Sequence, residues 1–246
     1  MNLKLAMRLW IRAARYRWRL DAPEIRRMIE AIPKGGNAID VGAHKGAYTY
    51  WMARRAGPSG HVVAIEPQGD LCGKLRASLA SVGMSRVEVV ESALSDSVGT
   101  CTFHIPTNTS TQSATLSPVE SGTKFRSIEV KTTTIDQLVE SRGWTRVDFM
   151  KIDAEGHELQ IFAGARNTLT RHKPAILVEA EARKHGDDAS HLDTLMQVLA
   201  PLGYRGHFND GSRWRPLDEL KVEQHQTFGQ GRFCNNIFLT ARGDAT

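Results

Sequence analysis

Short apolar runs alternate with amphipathic stretches along most of the chain. The runs are bounded by glycine, proline or polar residues, as is typical of buried parallel strands. They predict strands at 38–41, 61–66, 87–90, 147–153, 175–179, 203–208 and 233–241. Helical spacing between them predicts helices at 46–56, 71–82, 136–141 and 191–202, with one more through Leu159 and Phe162. The alternation predicts an α/β fold, a doubly wound and mostly parallel sheet with right-handed crossovers.

One stretch interrupts this series. Residues 100–105 and 128–134 alternate apolar and polar positions with a period of two, and a Ser/Thr-rich segment at 107–123 lies between them. This pattern predicts an inserted β-hairpin with a long polar loop. Because loops of this length usually serve a function or lack order, we interpret the loop as a lid over a site. An excursion with no role is the alternative.

The first 34 residues form a basic, amphipathic extension. Leu3, Leu9 and Trp10 are interleaved with arginines and predict one helix, and Asp21 is a candidate N-cap of a second helix with Pro23 near its start. Residues 1–34 hold nine basic and three acidic residues, a net charge of +6 against +5 for the whole chain. We therefore divide the chain into a helical extension, 1–34, and an α/β domain, 35–246.

Three roles for this extension remain open. It covers the sheet or a second subunit, as in a homo-oligomer; it contacts an anionic membrane through residues 1–20; or it contacts another acidic partner. Arginine and tryptophan together are also compatible with nucleic acid, but nothing downstream in the sequence supports that partner.

Composition narrows the class of protein. Of 246 residues, 41% are hydrophobic, enough for a full core, and no apolar run approaches the roughly 18 residues of a membrane span. Cys72, Cys101 and Cys234 are widely separated and form no CxxC pair, so we expect reduced thiols and a cytoplasmic protein. Contact with the inner face of the membrane is the alternative location. The nine histidines show no zinc-binding spacing.

The turn after the first strand carries candidate cofactor chemistry. Gly42 permits a tight turn and close approach of a ligand, Gly46 opens the next helix, and Glu66 ends the second strand. This arrangement holds an adenosine-containing cofactor at the carboxyl edge of a parallel sheet, with Glu66 suited to ribose hydroxyls. Asp40 either organises the turn or meets a cofactor ammonium group. His44 stands where a dinucleotide motif has its middle glycine, which weakens a nicotinamide interpretation.

A second constellation runs from Lys151 to Glu158, at the end of the 147–153 strand. Asp153 should point at the site, because ligands bind at this edge of open α/β sheets. His157 is a candidate general base or an exposed helix residue. Lys151 could pair with Asp153 or with Glu155 and so keep them ionised. The acidic Glu155 and Glu158 are explained by the helix dipole.

Carboxylates on the neighbouring strand allow a metal alternative. Glu179 and Glu181 follow the 175–179 strand, and Asn235 and Asn236 lie on the last strand. Asp153 and Glu179 together could hold Mg²⁺ through oxygen ligands. We favour a site without metal, in which these residues bind substrate hydroxyls and solvent.

Several motifs in order resemble the FkbM-type methyltransferase family. They are Ile39-Asp40-Val41-Gly42-Ala43-His44-Lys45-Gly46-Ala47-Tyr48-Thr49, Ile65-Glu66-Pro67, Ala93-Leu94-Ser95-Asp96 with Gly99 and Phe103, Lys151-Ile152-Asp153-Ala154-Glu155-Gly156-His157-Glu158, and Asn235-Asn236-Ile237-Phe238-Leu239. The resemblance covers about residues 37–240, and His44 departs from it where the family commonly has Asn.

The resemblance implies a class I, Rossmann-like methyltransferase that uses S-adenosylmethionine, with seven strands and the last one antiparallel. It implies methylation of hydroxyl groups on sugars, glycans, glycolipids or secondary metabolites. The implied cofactor-binding residues are Asp40, Gly42, Ala43, His44, Gly46, Glu66, Ser92, Ala93 and Asp153, with Ser92 and Ala93 near adenine and Asp153 beside the sulfonium. The candidate catalytic residues are Asp153, His157 and Lys151.

Two rival functions stay open at this stage. A nicotinamide oxidoreductase is disfavoured by the missing middle glycine and by the absence of a Tyr-x-x-x-Lys pair. A cofactor-binding module without catalysis, docked through its basic extension, would bind the cofactor but turn over no acceptor.

Overall fold

The computed structural model describes residues 2–107, 115–116, 124–181, 190–229 and 231–241. The helices are α1 Leu3–Arg15, α2 Ala22–Ala31, α3 Ala47–Ala56, α4 Gly69–Ser81, α5 Ile135–Glu140, α6 Glu158–Ala163, α7 Arg166–His172, α8 Ser190–Leu199 and α9 Val222–His225. The strands are β1 Asn37–Val41, β2 His61–Glu66, β3 Glu88–Glu91, β4 Ala93–Leu94, β5 Gly99–Pro106, β6 Phe125–Thr133, β7 Phe149–Ile152, β8 Ala175–Glu179, β9 Arg205–Asn209, β10 Trp214–Pro216 and β11 Asn236–Thr240. A π-helical turn, Tyr16–Leu20, joins α1 to α2.

A large mixed sheet positions the rest of the molecule. Its strand order is β10-β9-β11-β8-β7-β1-β2-β3, with β1, β2, β3, β7 and β8 parallel. The last strand, β11, runs antiparallel between β8 and β9, which confirms the predicted doubly wound architecture. An eighth strand, β10, pairs with β9 at the edge and was not among the seven expected. It spans three residues and ends at Pro216, so its sequence carries too short a pattern to be read as a strand.

The inserted hairpin forms a second sheet. Strands β5 and β6 pair antiparallel from Gly99 to Pro106, and the short β4 joins β6 in parallel. The predicted hairpin is therefore confirmed. Most of its polar loop, predicted to act as a lid, lies outside the described residues. Two residues of that loop, Thr115 and Leu116, are described, and the Thr115 hydroxyl donates to the carbonyl oxygen of Glu155 at 2.8 Å.

The amino-terminal helices pack on one face of the sheet. Ile25, Met28 and Ile32 are fully buried in the same core cluster as Phe149 of β7 and Leu177 of β8. Helix α1 lies against α3 and α4, with Leu9 and Ala13 buried. This packing agrees with the sheet-covering role, while the division of the chain at residue 34 stays a prediction. Within the described residues, no helix has both the length and the apolar character needed to cross a bilayer.

A buried ion pair ties α2 to the segment before β11. The Arg232 guanidinium lies 2.6 Å from both carboxylate oxygens of Glu24, whose side chain is 2% exposed. Removing one partner leaves the other charged and buried, so we expect Arg232→Ala to lower the free energy of unfolding by about 3 kcal/mol. Urea denaturation followed by circular dichroism measures this loss.

The matched control for this pair is Arg142→Ala. Arg142 makes an ion pair with Glu88, whose side chain is 50% exposed, so solvent screens the interaction. We expect the control to cost less than about 1 kcal/mol. Equal losses for the two variants would show that the Glu24–Arg232 pair does not anchor α2.

Candidate active site

A cavity of about 500 Å³ opens at the carboxyl ends of the parallel strands. The α/β topology brings the ends of β1, β2, β7 and β8 to this edge, which is where ligands bind in open sheets. The described lining residues are 40–45, Ala47, Tyr48, 65–68, 92–94, Phe103, Leu116, Lys151, 153–155, Ile161, Glu179, Asn235 and Asn236, together with Arg12, Tyr16, Leu20 and Asp21 from the extension. All predicted cofactor residues except Gly46 line this cavity.

The loop after β1 has a backbone that only certain residues allow. Gly42 has a φ of 71°, and a Cβ built there would collide with the carbonyl oxygen of Asp153. His44 has a φ of 48°, in the left-handed region that Asn, Asp and His tolerate better than most residues. This shared tolerance explains how His can stand where the resembling family commonly has Asn. Burial lowers the pKa of His44 to about 4, and the nearby charges of Lys45 and Arg12 lower it too, so the imidazole is neutral.

Glu66 closes the loop from the second strand. Its Oε2 accepts a hydrogen bond from the His44 backbone at 3.0 Å, and its Oε1 accepts one from the Gln68 backbone at 3.0 Å. Burial raises the pKa of Glu66, while these hydrogen bonds oppose the rise. Each carboxylate oxygen keeps acceptor capacity for a further donor. Glu66 can therefore hold the loop and accept ligand hydroxyls together.

Asp40 lies beneath the same loop and is 1% exposed. Its Oδ2 accepts a hydrogen bond from the Thr49 hydroxyl, whereas its Oδ1 is buried with no hydrogen-bond partner among the described atoms. Burial raises the pKa of Asp40, and the charge of Lys151 opposes that rise. Asp40 is thus bonded to α3 through one carboxylate oxygen, as a role in organising the turn requires, while its role toward a cofactor ammonium group stays a prediction.

Lys151 and Asp153 form an ion pair at the end of β7. Lys151 Nζ lies 2.8 Å from Asp153 Oδ2 and 5.0 Å from the centre of the Tyr48 ring. Burial disfavours its charge, but the carboxylates of Asp153, Asp40 and Glu179 together raise the pKa of Lys151. Lys151 is therefore an ammonium group at neutral pH and cannot act as a base. Its ammonium group lies beside the Asp153 carboxylate, which it would help to keep ionised in the predicted role of this pair.

The loop from Asp153 to His157 is held by Glu158. Glu155 has a left-handed φ of 52°, and Gly156 follows with a φ of 96°. Glu158 is 1% exposed, and its Oε1 accepts hydrogen bonds from the backbone N–H groups of Gly156 at 3.0 Å and Ala154 at 3.3 Å. The helix dipole alone, which explained Glu158 from the sequence, is thus an incomplete account. Glu158 supports the loop that carries Asp153.

The structure separates His157 from the other two catalytic candidates. Its Nε2 lies 3.0 Å from the Ser95 hydroxyl oxygen, and His157 is not among the described residues that line the cavity. Burial lowers the pKa of His157, with the nearby charge of Asp96 opposing it. Lys151 and Asp153 do line the cavity, so the geometry favours Asp153 as the base.

The carboxylates of the metal alternative do come together. One ligand oxygen each of Asp153, Glu155 and Glu179 lies within 4.8 Å of the others. Asn235 Nδ2 donates to Glu179 Oε1 and to Glu181 Oε1, both at 3.0 Å. Asp153 and Glu179 thus meet as the sequence suggested, and Glu155 joins them. The Lys151 ammonium already lies beside Asp153, which favours the arrangement without metal.

The amino-terminal extension contributes to the site in a way that no motif in the sequence indicates. Asp21 precedes α2, as predicted for an N-cap, but its side chain makes no capping bond there. Instead Asp21 Oδ2 accepts a hydrogen bond from the Tyr48 hydroxyl at 2.7 Å, at the cavity wall. Tyr48 lies in the 39–49 motif, but no sequence pattern predicts that it contacts Asp21. Ser92 lines the cavity, and its hydroxyl donates to the carbonyl oxygen of Lys131 at 2.9 Å, while its predicted place near adenine stays a prediction.

Comparisons with known proteins agree with this geometry. A curated relative, the AMB antimetabolite synthetase AmbE of Pseudomonas aeruginosa, is 23% identical over 206 residues, which is 70% of this chain and 10% of that protein. This chain therefore spans about a tenth of the length of that relative.

Two solved structures have a similar fold. The methyltransferase FkbM from Methylobacillus flagellatus matches with a TM-score of 0.52 at 18% identity, over 96% of this chain and 57% of that one. The O-methyltransferase from Bacillus cereus, in complex with S-adenosylhomocysteine, matches with a TM-score of 0.52 at 15% identity, over 98% and 92%. At these identities the similarity establishes the fold alone, and it confirms the predicted class I architecture.

A family model described as the methyltransferase FkbM domain matches residues 40–205, from Asp40 in β1 to the start of β9. That range contains the glycine loop, Glu66, the inserted hairpin and the Lys151–Asp153 pair. It covers more than half of the chain, and membership of a methyltransferase family leaves the nicotinamide alternative without support. The chain belongs to the FkbM methyltransferase family.

Proposed function

We propose that this methyltransferase transfers the methyl group of S-adenosylmethionine to a hydroxyl oxygen of a sugar, glycan, glycolipid or secondary metabolite. The observation that carries the proposal is the Asp153 carboxylate, which lies at the cavity and is held by the buried Lys151 ammonium. An alcohol is a poor nucleophile at neutral pH, so transfer to oxygen needs a group that takes its proton. An ionised carboxylate beside the reacting atoms supplies that group.

S-adenosylmethionine is the cofactor, and the residues at the cavity fit its parts. Gly42 lines the cavity, and its lack of a Cβ lets the turn after β1 pack directly against the Asp153 backbone, so the methionine and ribose portions would meet the two loops side by side. Glu66 accepts from the ribose hydroxyls, and Ser92 and Ala93 lie near adenine. The unpartnered Asp40 Oδ1 suits the ammonium group of the methionine portion. When bound, the cofactor supplies a methyl group that is already activated by its sulfonium.

Asp153 acts as the general base in this proposal. With the cofactor held at Glu66 and the Gly42 loop, its sulfonium would give up the methyl group to the acceptor oxygen and leave as the neutral thioether, and the Asp153 carboxylate would take the hydroxyl proton. Lys151 keeps that carboxylate ionised and positioned beforehand. Positioning supplies most of the acceleration, because the methyl group needs only an in-line nucleophile. Since Lys151 provides positive charge beside Asp153, we propose that no metal takes part.

The rest of the cavity supports a hydroxyl-rich acceptor. Asp21, Glu179, Asn235 and Asn236 add carboxylates and amides to the lining of the cavity, and these groups pair well with several hydroxyls at once. Aromatic surface from Tyr48 and Tyr16 lies beside them, which suits the apolar face of a sugar ring. Homo-oligomer formation stays a prediction.

Release of S-adenosylhomocysteine tests the proposal. The protein is incubated with S-adenosylmethionine and a panel of sugars, glycolipids and phenols, each paired with the same compound carrying a methyl ether at the candidate hydroxyl. We expect turnover on a free hydroxyl, none on its ether, and the same rate in EDTA and in Mg²⁺. Cofactor binding without turnover on any hydroxyl would favour a module without catalysis. A rate that depends on added Mg²⁺ would favour the Asp153–Glu179 metal site.

The ribose role of Glu66 predicts a loss of cofactor affinity. Glu66→Ala removes charged hydrogen-bond acceptors. We therefore expect the binding free energy of S-adenosylhomocysteine to become less favourable by about 1–3 kcal/mol, with a corresponding rise in Kd. Calorimetric titration measures the change, with NAD as a ligand that the wild type should not bind. Glu91→Ala is the matched control, because Glu91 ends the neighbouring strand β3 but is exposed and does not line the cavity. Unchanged affinity in Glu66→Ala would refute the ribose role.

A further inference from the structure

Helix α1 exposes an apolar face on the side turned away from the rest of the protein. Nine large hydrophobic side chains are exposed among the described residues, and six of them precede residue 21: Leu3, Met7, Trp10, Ile11, Trp18 and Leu20. Leu3, Met7 and Ile11 are four residues apart, and Trp10 lies three residues after Met7, so the four share one stripe of about 100° on the helix. Such a concentration of exposed apolar surface marks an interaction site.

The stripe is held outward by the opposite face of the helix. Leu9 and Ala13 are 3% and 0% exposed and belong to the core cluster beneath α1. The Trp51 indole N–H donates to the carbonyl oxygen of Ala13 at 2.8 Å, which ties the last turn of α1 to α3. Because one face of the helix is committed to this packing, the apolar stripe cannot turn inward without exposing Leu9 and Ala13.

Positive charge borders the stripe. Residues 2–20 carry six basic side chains and no acidic one. At 100° per residue, Lys4, Arg8 and Arg15 fall next to the stripe along one side of α1, between the apolar face and the buried face. The helix therefore has three faces: one packed on the protein, one exposed and apolar, and one basic.

We propose that α1 and the turn Tyr16–Leu20 dock on the surface of a bilayer that contains anionic phospholipids. The apolar stripe would enter the boundary between headgroups and acyl chains, while the basic face pairs with lipid phosphates. Trp10 and Trp18, whose ring centroids are 6.4 Å apart, offer the amphipathic rings favoured at that depth.

Charge and apolar surface together favour lipid over other occupants. A symmetric pairing of two copies through this face would bring the basic residues that border the two stripes together, and residues 2–20 of each copy carry no acid to balance them. Nucleic acid complements the positive charge, but its phosphate backbone offers no apolar surface to contact the exposed leucine, methionine and isoleucine side chains. An anionic bilayer complements both features.

Docking would also place one wall of the active site near the lipid. The docking segment contributes Arg12, Tyr16 and Leu20 to the cavity, so membrane binding and acceptor binding share one element. The proposal itself concerns the first twenty residues and does not rest on the proposed acceptor or on methyl transfer.

Vesicle sedimentation tests the proposal with the full chain. Large vesicles of phosphatidylcholine, with and without phosphatidylglycerol, are mixed with wild type, with Leu3→Gln/Ile11→Gln, and with Arg8→Gln/Arg15→Gln. We expect binding to the vesicles that contain phosphatidylglycerol. Loss of two basic residues should lower the partition coefficient about 30-fold, and loss of the two apolar side chains at least about tenfold.

Matched controls separate this surface from general effects. Val98→Gln replaces an apolar side chain that is 61% exposed and lies outside the extension, between β4 and β5. Arg126→Gln/Arg205→Gln removes two exposed charges on β6 and β9. Both should bind vesicles within about twofold of wild type. Unchanged affinity for S-adenosylhomocysteine in every variant shows that the fold and the cofactor site are intact, so a failure of docking is distinct from a failure of the proposed function.

Three results would overturn the proposal. The first is no binding to vesicles that contain phosphatidylglycerol. The second is a wild-type dimer in analytical ultracentrifugation that Leu3→Gln/Ile11→Gln abolishes, if wild type also binds vesicles no better than Leu3→Gln/Ile11→Gln does. The third is tighter binding to an oligonucleotide duplex than to vesicles, unaffected by Leu3→Gln/Ile11→Gln.

Discussion

Replacing Asp153 by Asn should lower kcat at least 100-fold while the Kd for S-adenosylhomocysteine changes little. The amide has the shape of the carboxylate but cannot take the acceptor proton, and general-base catalysis contributes about 10²–10⁴-fold to a rate. S-adenosylhomocysteine lacks the sulfonium charge, so its affinity reports on the pocket without any attraction between Asp153 and a sulfonium. Initial rates with an acceptor that wild type methylates and calorimetry with S-adenosylhomocysteine measure the two quantities.

His157→Gln is the control for this variant, because His157 was the other candidate base. Its Nε2 contacts Ser95 and it does not line the described cavity, so we expect kcat within a few-fold of wild type. The thermal midpoint of both variants shows whether either change acts through stability, since Asp153→Asn leaves Lys151 with less negative charge nearby. A large loss in His157→Gln with near-normal rates in Asp153→Asn would reverse the assignment of the base.

Replacing Gly42 by Ala should abolish measurable binding of S-adenosylhomocysteine. Gly42 has a φ of 71°, and its Cβ would meet the backbone carbonyl of Asp153, which cannot rotate away as a side chain could. The variant must either shift the loop that carries Asp153 or open the turn after β1. Both changes deform the cavity where the cofactor approaches the backbone, so we expect at least a 100-fold rise in Kd.

Gly83→Ala isolates the steric part of this effect. Gly83 has a similar φ of 75°, but nothing lies within 4 Å of the Cβ that alanine would add. It should cost only the left-handed strain of about 1–2 kcal/mol in unfolding free energy and leave cofactor affinity unchanged. If Gly42→Ala and Gly83→Ala behaved alike in calorimetry and in urea denaturation, the close approach of Gly42 to Asp153 would have no role in the site.

Local patterns in the sequence were sufficient for most of the fold. The parallel strands are buried on both faces, so their short apolar runs stand out, and glycine or proline marks their ends. The hairpin was visible because its alternation of period two differs from the helical spacing around it. Strand β10 was not visible, because Trp214–Pro216 is too short to show a period and forms only by pairing with β9 at the sheet edge.

The site could be predicted as far as its residues lie in continuous motifs. Asp40, Gly42, Glu66 and Asp153 each lie at or just after the end of a strand, and parallel topology brings strand ends together. Asp21 could not be placed in this way, because its bond to Tyr48 depends on how α2 packs on the sheet. The hydrogen bonds of Glu158 to the Asp153 loop were not predicted for a similar reason. They depend on a left-handed backbone at Glu155, which no sequence pattern indicates.

The most direct test of methyl transfer to oxygen uses S-adenosylmethionine labelled with ¹³C in its methyl group. After incubation with an accepted substrate, the carbon chemical shift and the proton–carbon correlations of the product identify the atom that carries the new methyl group. The proposed chemistry predicts a methyl ether on a hydroxyl oxygen, formed by wild type and not by Asp153→Asn. A labelled methyl group on nitrogen or carbon, or an ether formed equally well by Asp153→Asn, would contradict it.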